Sequence, residues 1–120
     1  RWPSMGNRWL ASIASRNGRE RVELVDLRNG QPVPLPGINQ ADAQPISVSV
    51  SADGNRIALI RSRNGRTELM LYRRGVGLLQ RLPVEPAGVP REVSLDGSGR
   101  LLAVQVSRQG KWDVDLIRLP

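Results

Sequence analysis

The chain has 120 residues, no cysteine, no histidine and a formal net charge of +7, carried by arginine with Lys111 as the only lysine. These absences exclude thiol nucleophiles, disulfides, thiolate or imidazole metal ligands, and the commonest general base. The length suits one domain, and no apolar stretch approaches the roughly 20 residues of a membrane-spanning helix.

The first elements are read from Trp9-Leu-Ala-Ser-Ile13, a strand pattern, then an Asn17-Gly18 hairpin, then Val22-Glu-Leu-Val-Asp-Leu27. Asn29-Gly30 turns into Pro32-Val-Pro-Leu35, and residues 1–5 stand where the end of a preceding strand is expected. The second set opens with Ile46-Ser-Val-Ser-Val50, which alternates apolar and polar as a strand with one buried face does. Asp53-Gly54 supplies turn chemistry, and Ile57-Ala-Leu-Ile60 reads as a buried central strand. Asn64-Gly65 between two strand-like runs is a strong hairpin signal, followed by Thr67–Tyr72 and Leu78–Leu82 as third and fourth strands. Pro83, Pro86, Gly88 and Pro90 mark a connecting loop. The third set repeats the course with Arg91–Leu95, the Asp96–Gly99 turn, Leu101–Val106, a Gln109-Gly110 hairpin and Trp112–Ile117. No segment has the i, i+3, i+4 apolar spacing of an amphipathic helix. The expected class is all-β.

These sets are copies. Pro45, Val48, Ser49, Gly54, Ala58, Arg63, Gly65 and Arg73 recur 45 residues later as Pro90, Val93, Ser94, Gly99, Ala103, Arg108, Gly110 and Arg118. Ala11, Arg16, Asn17 and Gly18 precede Ala58, Arg63, Asn64 and Gly65 by 47. A period of this size means a stacked supersecondary unit, with copies at about 1–43, 44–88 and 89–120. A four-strand antiparallel unit of about 45 residues is one β-propeller blade.

Ser51-Ala-Asp53-Gly54-Asn55-Arg56-Ile57-Ala58 resembles the S-P-D-G-K-x-I-A motif of the PD40 repeat, with Ala52 replacing the proline. Arg63-Asn-Gly65 and Glu68–Leu71 resemble that repeat's hairpin and third strand, and Ser94–Arg100 is a looser copy. The resemblance implies a TolB-like propeller, a six-bladed fold of the bacterial periplasm that also occurs in prolyl-oligopeptidase-like peptidases. It implies a non-catalytic scaffold for protein–protein interaction in the periplasm or elsewhere outside the cytoplasm, with another envelope protein as a candidate partner. Alternatives are a glycan- or ligand-binding propeller and the propeller fragment of a peptidase. A closed propeller needs roughly four to eight blades. Three copies therefore predict either a longer propeller or a homodimer that closes a six-bladed ring, and the homodimer is the preferred reading. A chain beginning at Arg1, with no initiator Met, reads as a processed product or a trimmed piece.

Candidate sites are few. No catalytic, cofactor or metal residue is assigned. The serines recur as strand positions, no G-x-S-x-G elbow is present, and Asp113 with Asp115 reads as a solvated face. Arg28, Arg73 and Arg118 are spaced by 45 near the ends of third strands, and Arg16, Arg63 and Arg108 precede the hairpins. Either set could form a basic row for an acidic partner or pair with Glu23, Glu68 and Asp113. The arginines are interleaved with carboxylates, without a basic arm, so no DNA or RNA partner is expected. Trp2 and Trp112 are candidates for ligand stacking, with core or blade-interface packing as the alternative for the tryptophans.

Overall fold

A computed structural model describes residues 4–5 and 8–120, and every regular element within them is a β-strand. Blade 1 comprises β1 (Ser4–Met5), β2 (Trp9–Arg16), β3 (Arg19–Asp26) and β4 (Gln31–Val33). Blade 2 comprises β5 (Ala43–Val50), β6 (Arg56–Arg63), β7 (Arg66–Arg73) and β8 (Leu78–Leu82). Blade 3 comprises β9 (Val89–Leu95), β10 (Leu101–Arg108) and β11 (Lys111–Arg118). Each blade is an antiparallel meander in sequence order, and the blades stack in chain order. Trp2, Gly6 and Asn7 lie outside the described residues.

The hairpins form because both central residues adopt positive φ: Asn17 and Gly18 at 54° and 77°, Asn64 and Gly65 at 53° and 74°, Gln109 and Gly110 at 50° and 78°. That is the twist-matched two-residue turn that Asn-Gly favours. Gln109 accepts the same conformation without Asn's preference for it, so in blade 3 strand register imposes what the side chain does not favour.

Two strands run further than their sequence pattern. The first strands of blades 2 and 3 include Pro45, which precedes the strand read from Ile46–Val50, and Pro90, which the sequence had placed in a loop. Each proline sits at a register shift, between Pro45 and Ser47 in β5 and opposite the shift between Gln105 and Val106 in β9. β5 and β9 are edge strands of their sheets, and edges and bulges are where a residue without an N–H is tolerated.

The core lies between blades. Trp9, Ala11, Val22 and Leu24 of blade 1 pack on Val48, Val50, Ile57, Leu59, Met70 and Tyr72 of blade 2. On the opposite face of blade 2, Ala58, Ile60, Leu69 and Leu71 pack on Leu95, Leu102, Val104, Val106 and Leu119. Blade 2 therefore carries apolar residues on both faces, which explains why Ile57–Ile60 reads as an unbroken apolar run. Each fully buried aliphatic side chain contributes on the order of 1.5–3 kcal/mol, so these layers, rather than the turns, hold the array together.

The innermost edge strands meet through side chains. Ser47 Oγ accepts the Val93 N–H at 3.2 Å and Ser49 Oγ accepts the Leu95 N–H at 2.8 Å. The serines thus satisfy backbone donors that no strand partner reaches.

Candidate interaction surfaces

The strand ends define two rims. The hairpin rim carries Arg16, Arg63 and Arg108, which are equivalent by register because they stand opposite Arg19, Arg66 and Lys111. All three are ion-paired. Arg16 chelates Glu23 at 2.8 and 2.9 Å, and Arg63 lies 3.5 Å from Glu68. Arg108 reaches Asp113 at 3.2 Å and Asp115 at 2.6 Å, and its Nε donates to the Pro86 carbonyl in the loop entering blade 3. Those hydrogen bonds hold the Asp115 carboxyl below the usual range and make Arg108 harder to deprotonate. Inside this rim, buried Arg61 donates to Glu68 at 3.0 Å, and Gln40 Oε1 accepts from both Arg61 and Arg63.

The opposite rim holds the turns between first and second strands. Here the Asp side chains build corners. Asp53 Oδ1 accepts from Ser51 Oγ at 2.7 Å and from the Asn55 N–H at 2.9 Å. Asp96 accepts from Ser98 and from the Arg100 and Leu101 N–H groups. These bonds lower both carboxyl pKa values. Asp26 is bidentate with Arg8 at 3.0 and 2.7 Å, which drops its pKa to about 2.

Asp53 and Asp96 in the turns and Asp26 at the end of β3 are thus hydrogen-bonded within the chain, while the same rim carries Arg8, Arg28, Arg56, Arg73, Arg74, Arg100 and Arg118. Arg74 donates to the Gly54 carbonyl, and Arg8 and Arg74 cover the Trp9 ring, each 4.5 Å from its centroid. Arg56 reaches the carbonyls of Gly99 and Pro120. Among the described residues the Arg73 side chain meets only that of Gln80, at 3.2 Å, and Arg28 is 3.8 Å from Asp26. The Arg100 and Arg118 guanidinium groups have no partner among the described residues. With Arg56 they line a concavity of about 600 Å³ beside Leu101 and Pro120.

The spacing of Arg28, Arg73 and Arg118 does not translate into equivalence. Arg73 stands opposite Arg56 and Arg118 opposite Leu101, whereas the matching residue of blade 1, opposite Trp9, is Asp26. Blade 1 is offset by two residues, so Arg28 falls in the following turn. Arg56 and Arg100, absent from the sequence-based set, complete the basic cluster instead; Arg56 is replaced by Trp9 and Leu101 at its equivalent positions, whereas Arg100 recurs as Arg8 in blade 1 with Asn55 between them.

Trp9 is buried at the joint between blades 1 and 2, on Gly54. Trp112 is exposed on β11, in one row with Val114 and Leu116. Trp2 lies outside the described residues. Among the described residues no group of three or more carboxylates could hold a metal ion, and no helix is long and apolar enough to cross a membrane.

No family model and no curated protein matches the chain. Solved structures do. TolB from Acinetobacter baumannii superposes with a TM-score of 0.72 at 20% identity, over 98% of this chain and 29% of its own. The fold is that of a TolB-like β-propeller segment. A putative TolB from Agrobacterium tumefaciens gives a TM-score of 0.65 at 17% identity, covering 92% of this chain and 38% of that one. A puromycin-hydrolyzing peptidase from Mycobacterium tuberculosis gives 0.67 at 19% identity, covering 97% and 19%. The chain thus spans well under half the length of each of these proteins.

Proposed function

We propose that this TolB-like segment belongs to a non-catalytic propeller scaffold that binds an acidic protein surface through its Asp-Gly rim. One observation carries the reading. That rim sets seven arginines against the three carboxylates of Asp26, Asp53 and Asp96, which leaves the Arg100 and Arg118 guanidinium groups without a partner among the described residues, whereas the hairpin arginines Arg16, Arg63 and Arg108 are matched by their own carboxylates. Uncompensated charge of one sign steers association with a partner of the opposite sign. Placement outside the cytoplasm, with another envelope protein as partner, follows from the TolB likeness alone.

The likeness to the peptidase supports a second reading, the propeller of a larger hydrolase, in which this segment is equally non-catalytic. A hydrolase domain elsewhere in the same polypeptide would favour it.

The test is binding of a Glu/Asp-rich peptide, followed by anisotropy at two salt concentrations. Arg73→Glu, Arg100→Glu and Arg118→Glu together should weaken binding by at least about tenfold. Arg66→Glu with Lys111→Glu, on the hairpin rim, should change it by less than about twofold. Equal losses from both rims would refute the assignment.

A further inference from the structure

Asn17-Gly18, Asn29-Gly30 and Asn64-Gly65 each put a side-chain amide next to a glycine nitrogen, and Gln109-Gly110 is the longer homologue. In such a pair the glycine N, once it gives its proton to base, attacks the asparagine Cγ. A C–N bond forms, the Cγ–Nδ2 bond breaks, and the leaving nitrogen takes a proton from water and departs as ammonia. Water then opens the five-membered imide at either carbonyl. The product is aspartate or an isoaspartyl residue whose backbone runs through Cβ and Cγ. Glycine favours the attack because no Cβ shields its nitrogen. Each asparagine follows an arginine, so by local sequence the three pairs are equally reactive.

The fold separates them. At the two hairpin tips the reacting groups are free. Among the described residues neither the Gly18 nor the Gly65 N–H donates a hydrogen bond, and neither the Asn17 nor the Asn64 side chain makes one. All four residues are exposed, and open space surrounds both glycines where a side chain would stand. Gly18 and Asn64 border one groove of about 570 Å³ between the hairpins of blades 1 and 2. Asn17 and Asn64 hold φ at 54° and 53°, and ring closure needs ψ to rotate out of the turn. Reaction therefore waits on opening of the tip, which costs little where nothing is packed against it.

Asn29-Gly30 is tied down on both sides of the reacting bond. The Gly30 N–H donates to the Asp26 carbonyl at 2.8 Å, and Asn29 Oδ1 accepts the Gln31 N–H at 2.9 Å. Nucleophile and electrophile must each give up a partner before they can meet. Asp53-Gly54, which could close the same ring by losing water, is held likewise. There the Gly54 N–H donates to the Ser51 carbonyl at 3.0 Å, and Asp53 Oδ1 accepts from Ser51 and Asn55. At the third hairpin Gln109 adopts the same turn, with φ at 50°, but its longer side chain must close a six-membered ring, a slower reaction.

We infer that Asn17 and Asn64 are modification sites at which the folded chain deamidates, while Asn29 and Gln109 are spared. Each event adds one carboxylate, next to Arg16 or Arg63, on the rim whose arginines are already matched. The aspartyl product keeps a turn that Asp-Gly also favours. The isoaspartyl product lengthens a two-residue hairpin by one backbone atom and disturbs the register at its tip. The inference is independent of the binding reading above, because the change falls on the opposite rim.

The experiment is incubation of the whole chain at mildly alkaline pH, with each turn followed by peptide mass spectrometry. Electron-transfer fragmentation distinguishes the aspartyl from the isoaspartyl product. In the folded chain Asn17 and Asn64 should convert at least about tenfold faster than Asn29, because two hydrogen bonds guard only the latter. In concentrated urea, where the turns are lost, the three rates should come within about threefold of one another. Asn17→Gln with Asn64→Gln should stay folded, since Gln109 already occupies the same turn, and should leave only the slow conversion of Asn29. Circular dichroism checks the fold of that variant. Equal rates at all three pairs in the folded chain would assign reactivity to sequence alone and overturn the inference, as would conversion of Asn29 ahead of the hairpins. Complete resistance of Asn17 and Asn64 in the folded chain, with normal reaction in urea, would mean that the hairpins lock ψ and would overturn it equally.

Discussion

The joint between blades 1 and 2 and the joint between blades 2 and 3 perform the same task with different chemistry. The first is built around one aromatic ring, Trp9, clamped between Arg8 and Arg74 and lying against Gly54. The second has no ring. It relies on aliphatic rows from Leu69, Leu71, Leu102 and Val104, with the Arg56 stem on Gly99 and Ser49 bridging to Leu95. What the two joints share is backbone: a glycine at positive φ in the turn and a strand register that places equivalent positions face to face. The repeat therefore preserves the shape of the joint and leaves the side chains that fill it free to vary, as expected where packing needs volume more than identity.

The largest effect should come from closing the space under Trp9. A Cβ at Gly54 would lie 2.4 Å from the Trp9 ring, and its φ of 73° disfavours any other residue. Gly54→Val should destabilise the chain by roughly 3 kcal/mol or more, measured by urea unfolding. Gly99→Val should cost less. There a Cβ would meet the flexible Arg56 stem and Ser51 Cβ, both at 3.1 Å. Equal losses would show that φ, common to both, decides the cost, and not the ring.

A smaller effect tests the second joint. Ser49→Ala leaves the Leu95 N–H without its acceptor in a buried site and should cost about 1–3 kcal/mol. Ser94→Ala, at the equivalent but open position, should change stability of the single chain by less than about 0.5 kcal/mol.

The smallest effect is electrostatic and appears only in acid. The Arg8 hydrogen bonds lower Asp26 from 3.8 to about 2, and those of Arg108 lower Asp115. A carboxyl whose folded pKa lies below its unfolded value stabilises the fold above the unfolded value and loses that contribution as pH falls. Thermal midpoints should therefore be level above about pH 5 and decline from near 3.8 toward 2. Asp26→Asn should be less stable at neutral pH and show a shallower decline in acid.

Much of the fold was legible because its signals are local. Period-2 alternation in Ile46–Val50, Asn-Gly at the hairpins and Asp-Gly at the corners each specify geometry within a few residues, and the 45-residue recurrence multiplies them. Pro90 misled: it read as a loop residue, and the alternation that begins at Ile46 does not reach Pro45, because only the sheet shows that both lie on edge strands at bulges. The arginine rows divided along the same line. Arg16, Arg63 and Arg108 precede hairpins of identical form, so their equivalence is local, and the pairing with Glu23, Glu68 and Asp113 weighed from the sequence is the one observed. Arg28 fell out of register with Arg73 because a two-residue offset in blade 1 shifts the count, and register is a property of strand pairing.

The sequence by itself determined the unit: three copies of a strand-and-turn module, all-β, with glycines where the chain must turn with positive φ. Only the tertiary structure decided which faces meet. Whether Trp9 is a joint and Trp112 an open row depends on what stacks against each blade. Stacking brings together residues about 45 positions apart, through contacts that no local pattern encodes.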